Sequence, residues 1–416
     1  MNIPFVFRFT TLFLRFSIPL VILIYLTGGE LGKYYLYTAT ATTIIFFISL
    51  EVAVPTSRIY LRAWKSRTKK SIFTNLQNTQ LVQSFVLSTP IVILAGILLG
   101  FSKPMIFFAI IYLTTEATVN ESGRFFWNTN NVKIASTRDF FRALFFAIGL
   151  ATSVYIERTA ISVISLSLMS FFNVLILIHE NREWGQRVSS IVNLKKLSLF
   201  VFRKFLYRIV RMIRLAAPQV AHLQILSILP LLERSFLERT IGLEAVGLYS
   251  FQYSLIQAGF ALLLLPSIAH LRRSILATRT SAERQKVCKD AANFSLKALL
   301  VGLICTMGGA LALPLLNFLL HKHYETTFSV MMAVWLSASA SIYTGAVATL
   351  FGSRIRVVQA NVQTILATTP ILLGFLTLAI YGNVLASYVF TILSFAAVLQ
   401  IAIRYKFFSN RIRPLE

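Results

Sequence analysis

Charge is scarce in this 416-residue chain. Asp, Glu, Lys and Arg together make up 13% of it, about half the roughly 25% of an ordinary soluble domain. A water-soluble fold is thereby excluded. Acid is scarcer than base, with 15 Asp and Glu against 40 Lys and Arg, for a formal net charge of +25. Cysteine is nearly absent. Cys288 falls in a basic loop and Cys305 in an apolar span, so neither a disulfide nor a metal site is expected. No Gly-rich phosphate loop, zinc-ligand spacing or Ser-His-Asp arrangement can be placed, and no cofactor is expected. A cleavable signal is lacking too: the N-terminal apolar stretch has no small-residue cleavage site and leads into further apolar spans.

What the chain has is apolar length. Hydrophobic residues make up 56% and the mean hydropathy is +0.72. Many runs reach the roughly 20 residues that cross a bilayer as helix. Backbone polar groups in lipid must be satisfied within the segment, so such runs are helices and not open strands. We read twelve spans, near 9–28, 34–56, 79–101, 104–125, 139–157, 160–179, 215–237, 246–270, 291–314, 327–350, 358–381 and 385–404. The fold class is all-α, in two pseudo-symmetric six-helix bundles at 1–180 and 215–416.

The loops then sort by charge. Taken alternately, one side receives 33 of the 40 basic residues, the other six, and Lys297 lies within a span. Basic residues collect in cytoplasmic loops, so both termini are expected in the cytoplasm. Topology and attraction to anionic headgroups account for the positive charge, and nucleic acid is not expected as a partner. One long connection, 181–214, mixes apolar and basic residues at helical spacing (Leu194 to Arg211). It reads as an amphipathic linker in the inner interface. Outer loops are all short, so no soluble catalytic domain fits there.

The chain also repeats itself. Arg15-Phe-Ser-Ile-Pro19, an apolar span, Gly29 to Tyr35 as a turn, and a span carrying Pro55 before Arg58 match a second series. That series is Arg214 to Pro218, an apolar span, Leu243 to Ser250 as a turn, and a span carrying Pro266 before Arg272 and Arg273. Gly32 matches Gly247, and Tyr34 matches Tyr249. Internal repeats are how many transporters place a substrate path.

At these residues the chain resembles a known family. Glu233-Arg234 with Glu244-Ala-Val-Gly-Leu-Tyr-Ser250 is similar to the seventh-to-eighth helix turn of polysaccharide flippases of the Wzx type. Asn317 to Tyr324 resembles that family's turn after helix nine, and Ile380 to Ser387 its last turn. The likeness covers most of the chain through loose motifs. It departs where the family often has Asp at the position of Glu233, and where His321 replaces a usual Gly. These flippases carry lipid-linked O-antigen or capsule repeat units, in the superfamily of multidrug and toxic compound extruders. The resemblance implies a non-enzymatic transporter in a bacterial inner membrane. It would move an undecaprenyl-pyrophosphate-linked oligosaccharide between leaflets by alternating access, with membrane lipids and other polysaccharide assembly proteins as further partners. A multidrug exporter of the same superfamily is the first rival. A polysaccharide polymerase is the second.

Ionisable groups inside spans are the candidate site residues, since each costs about 2.5–3.5 kcal/mol at a helix centre on insertion scales. Glu116 falls near the midplane, with Asn120 and Arg124 at four-residue steps on its face. It reads as a cavity carboxylate or as half of an ion pair. In span seven, Gln219, His222 and Glu233 recur on one stripe. His222 titrates near neutral pH when unperturbed, which keeps proton or sodium coupling open. Arg15 and Lys297 either snorkel to headgroups or attract a pyrophosphate. Glu233, Arg234, Glu238 and Arg239 read as exposed pairs at the outer mouth.

Overall fold

A computed structural model describes residues 3–49, 69–98, 101–128, 131–184, 228, 230–263, and a discontinuous set between 297 and 373. No strand occurs among the described residues. The helices in chain order are α1 (Ile3–Tyr25), α2 (Gly28–Ser49), α3 (Lys69–Leu98), α4 (Lys103–Asn128), α5 (Val132–Glu157), α6 (Val163–Trp184), α7 (230–240) and α8 (Leu243–Leu263). Further helix covers 300–308. Among the described residues, three stretches are long and apolar enough to cross a membrane: Gln80–Ile97, Lys133–Glu157 and Val163–Glu180.

Helix α3 is polar on its inner face and apolar on its outer one. Along α3, Gln77, Gln80, Ser84 and Ser88 are buried at three- or four-residue spacing, which is one face of a helix. On the opposite face, Phe85, Val86, Leu94 and Ile97 are exposed. In water that arrangement would expose a large apolar surface and bury amides. In lipid it is favourable, because the hydrocarbon solvates the outer face and the amides find partners inside.

Two compact units make up the chain: Met1–Leu26 with Tyr37–Ser227, and Thr27–Leu36 with Ile228–Glu416. In the first, α3 packs on α4, α1 on α5, and α6 on α4 and α5. Its apolar core joins Ile48 of α2 to Val92, Leu113 and Ala117. Residues 27–36 group with the second unit, although the sequence reading kept them within 1–180. The physical reason is a backbone crossing. Gly32 lies so close to Leu243 that a side chain there would strike the Leu243 carbonyl, and a Cβ on Gly247 would come 2.7 Å from the Gly28 carbonyl oxygen. Of the expected linker, Asn181–Trp184 continue α6, and the rest lies outside the described residues.

Both hairpin turns are shorter than their sequence suggests. Gly29 to Tyr35 is helix, not turn. Thr27 caps α2: its hydroxyl accepts the Glu30 amide at 3.3 Å, Glu30 then pairs with Lys33 at 2.6 Å, and a Thr-x-x-Glu start is the capping signature that outweighs the two glycines. Leu243 to Ser250 is likewise the opening of α8. The true turn is Ile241-Gly242, where Gly242 takes φ +111°, a conformation open to glycine without steric cost. At the opposite hairpin, Ser162 and Ser165 exchange amide-to-hydroxyl bonds of 2.9 and 3.3 Å and so fix the start of α6.

Candidate functional site

The first unit holds two buried polar clusters on four helices. Glu116 sits at the middle of α4, 13 residues after Lys103, or about 20 Å along the helix. Its carboxylate forms an ion pair with Arg142 of α5. It also accepts a 3.0 Å bond from the Asn173 amide of α6, and Asn173 reaches Thr115 as well, at 3.5 Å. Two residues before Glu116, the Thr114 hydroxyl shares a 2.9 Å bond with the Ser88 hydroxyl, between α4 and α3.

The second cluster lies where α4 ends and α5 begins. Arg138 donates from Nε to Glu180 of α6. One terminal nitrogen reaches Ser122 of α4 at 3.2 Å, and the other Asp139 at 3.4 Å. Gln77 of α3 closes the group by donating to Glu180 at 3.0 Å. One guanidinium and one carboxylate thus tie four helices together. Gly123 makes room, since a Cβ there would overlap the Arg138 guanidinium. Both side chains of the Arg138–Glu180 pair are 5% exposed. A buried pair of this kind contributes little net stability, but losing one partner leaves an uncompensated charge.

The second unit holds a third group. Glu233 and Arg234 of α7 are each 8% exposed, so the expected exposed pair at a mouth is replaced by burial. The reason is α8: its residues Tyr249, Ser250 and Tyr253 cover them. The Tyr249 hydroxyl donates to Glu233 at 3.4 Å. Arg234 donates from Nε to the Ser250 hydroxyl at 3.0 Å and from a terminal nitrogen to the Pro230 carbonyl at 2.9 Å. Its guanidinium carbon lies 5.7 Å from the Tyr253 ring centroid, within cation–π range.

Arg15 of α1 is exposed, with a partner in the structure. Lys297 is exposed and helical. Asn120 is half-buried. Arg124 lies in α4, but its side chain is outside the described residues, as are Gln219 and His222. Glu238 is half-buried and Arg239 exposed. Sequence reasoning did not single out Gln77, Arg138, Arg142, Asn173 or Glu180. A signal existed: Arg138 and Arg142 are four apart and share a helix face, and Asn173 and Glu180 are two turns apart. No group of three His, Cys, Asp or Glu that could hold a metal ion occurs among the described residues.

No family model and no curated protein sequence matches the chain. Solved structures do. One described as the inward-facing conformation of a multidrug resistance MATE family transporter of the MOP superfamily matches with TM-score 0.61 at 16% identity, over 98% of this chain and 96% of the other. The outward-facing conformation of a transporter so described matches with TM-score 0.60 at 15% identity, over 99% and 94%. A MOP superfamily transporter from Pyrococcus furiosus, whose description reads "reverse polarity of binding pocket suggests different function", matches with TM-score 0.55 at 13% identity, over 99% and 94%. The chain therefore has the all-α fold of these transporters, built as two helical halves, and it is a multi-pass membrane protein.

Proposed function

We propose that the chain is a carrier that moves a lipid-linked oligosaccharide between leaflets by alternating access, and that it is not an enzyme. The fold supports carriage. The cargo reading rests on one observation about charge. Among the described residues, the buried carboxylates Glu116 and Glu180 each hold an arginine, Glu233 accepts from the Tyr249 hydroxyl, and Glu121 is partnered too. A cationic drug needs a carboxylate that is free to receive it. At Glu116 or Glu180 it would have to displace an arginine. A cargo of neutral sugars on an anionic diphosphate makes no such demand, and the resemblance to polysaccharide flippases points the same way.

A multidrug exporter is the second reading, and the structural neighbours stand nearer to it by their descriptions. The deciding experiment removes the protein from its host and assays which leaflet holds the lipid-linked repeat unit. Accumulation in the inner leaflet, reversed by the wild-type chain, is the expected result. Normal delivery with changed tolerance to cationic drugs would move the assignment to the exporter. Delivered but unpolymerised units would move it to an enzyme.

A further inference from the structure

Three buried or half-buried arginines are described in the two units, and one of them differs from the others. Arg138 is paired with Glu180, and Arg142 with Glu116. Arg234 makes no ion pair among the described residues. Its neighbours are the Ser250 hydroxyl, a backbone carbonyl, the Tyr253 ring and the buried phenol of Tyr35. Glu233 precedes it, but that carboxylate faces the Tyr249 hydroxyl. A guanidinium carries five N–H donors in a planar fork. The bonds to Ser250 and Pro230 use two, and no described residue accepts from its second terminal nitrogen. Neutral acceptors satisfy hydrogen bonds but leave the charge uncompensated, which is costly inside a membrane.

We infer that Arg234 is the seat of a site for a phosphate-bearing lipid headgroup. The second terminal nitrogen keeps its donors, and charge-assisted bonds from a guanidinium suit phosphate oxygens. Tyr253 lies 5.7 Å from the guanidinium carbon and adds no counter-charge. Depth agrees with a headgroup. Arg234 lies six residues before Thr240 at the end of α7, or about 9 Å along the helix. On the expected topology this end of α7 faces the outer leaflet. Two lipids share this chemistry: the diphosphate of the cargo, and a bulk anionic phospholipid. The choice between them rests on the functional reading above; the site itself does not.

The test uses the full chain in neutral detergent with farnesyl diphosphate as probe and farnesol as its uncharged control. Affinity is measured by thermophoresis for wild type, Arg234→Gln and Arg234→Lys. The diphosphate should bind and farnesol should not, with Arg234→Gln weakening binding on the order of tenfold or more, as loss of charge-assisted bonds implies. Arg234→Lys, which keeps the charge but not the fork, should fall between and serves if the Gln variant does not fold. Both variants binding as tightly as wild type would overturn the site. Nanodiscs of phosphatidylglycerol or phosphatidylcholine identify the source. Competition by phosphatidylglycerol alone marks a bulk-lipid site, and a preference for the diphosphate marks a cargo site. If Arg234 governs binding while the leaflet assay shows normal delivery, the site stands and the flippase reading falls. If delivery depends on the protein but binding ignores Arg234, the reverse holds.

Discussion

Replacing Gly32 with alanine tests the helix crossing on which the second unit's membership rests. A Cβ at Gly32 would overlap the Leu243 carbonyl oxygen and lie 2.7 Å from its carbonyl carbon. Ordinary contact begins at 3.4 Å, so the carbon alone requires a retreat of 0.7 Å. Both obstructing atoms are backbone, and no rotamer can remove them. A gap of 0.5–1 Å forfeits about a quarter to a half of the dispersion energy of each contact it opens. Overpacking of this kind typically costs about 1–3 kcal/mol. The neighbouring glycines provide the scale. At Gly247 the obstruction is the Gly28 carbonyl oxygen at 2.7 Å and the Gly32 nitrogen at 3.1 Å, so alanine there should cost somewhat less. At Gly28 it is the flexible Glu244 side chain at 2.9 Å, which can swing aside. At Gly29 the nearest atom is 3.8 Å away, and alanine should be neutral or stabilising by about 0.5–1 kcal/mol through helix propensity. Melting midpoints from fluorescence-detected size exclusion should rank Gly29→Ala at or above wild type, then Gly28→Ala, Gly247→Ala and Gly32→Ala. A Gly32→Ala protein as stable as Gly29→Ala would refute the crossing.

The buried ion pairs make further predictions by the same assay. Glu180→Gln should destabilise by about 3–5 kcal/mol, because Arg138 is left buried without its main counter-charge; Asp139 at 3.4 Å sets the lower end. Glu116→Gln should cost less, since the Glu116–Arg142 side chains are 10% and 18% exposed against 5% for the Arg138–Glu180 pair; equal losses would contradict the burial difference. Joint replacement of Glu116 and Arg142 by Gln and Met should recover most of the single-variant loss, because breaking a buried pair costs more than removing it whole; additive losses in the double-mutant cycle would count against direct pairing. Ser162→Ala should cost about 1 kcal/mol through loss of the α6 cap, while Ser167→Ala, whose hydroxyl only bonds back to Ile164 of its own helix, should be within about 0.5 kcal/mol of wild type.

The class of the fold was legible because lipid leaves few solutions. Apolar runs of spanning length mean helices wherever they occur, and loop charge counts them. Gly32 and Gly247, matched from the order of Pro, Gly and Tyr, lie against each other in the structure. The turns were read too long. Gly28, Gly29 and Gly32 look like breakers in sequence, yet the Thr27 cap and the close approach of Leu243 both favour helix with no side chain there. Partners across helices were illegible. Spacing along α4 shows that Glu116 and Asn120 share a face, but not that Arg142 and Asn173 occupy the space opposite. Burial of Glu233 and Arg234 was missed for a related reason. Charges six or seven residues from a helix end look solvated until the neighbouring Tyr249 and Tyr253 are placed over them.

The pattern of pairing bears on what such an interior can carry. A charge alone in lipid costs about 2.5–3.5 kcal/mol even on insertion scales, so a resting carrier does best with its interior charges matched. Glu116 with Arg142 and Glu180 with Arg138 meet that condition. They are thereby poor receptors for a charged ligand of either sign, because any ion entering must first separate a pair. A matched interior is instead suited to neutral polar cargo, which trades hydrogen bonds with amides and hydroxyls and leaves the pairs intact. Sugars meet that description and cationic drugs do not. The diphosphate of a lipid-linked sugar still needs a cation, and it must be one not already held by an acid. Among the buried charges described, Arg234 is the one that an incoming anion can engage without breaking an ion pair. The proposal of an anionic cargo group is thus argued from Arg234 and its neutral partners, not from the number of basic residues in the chain.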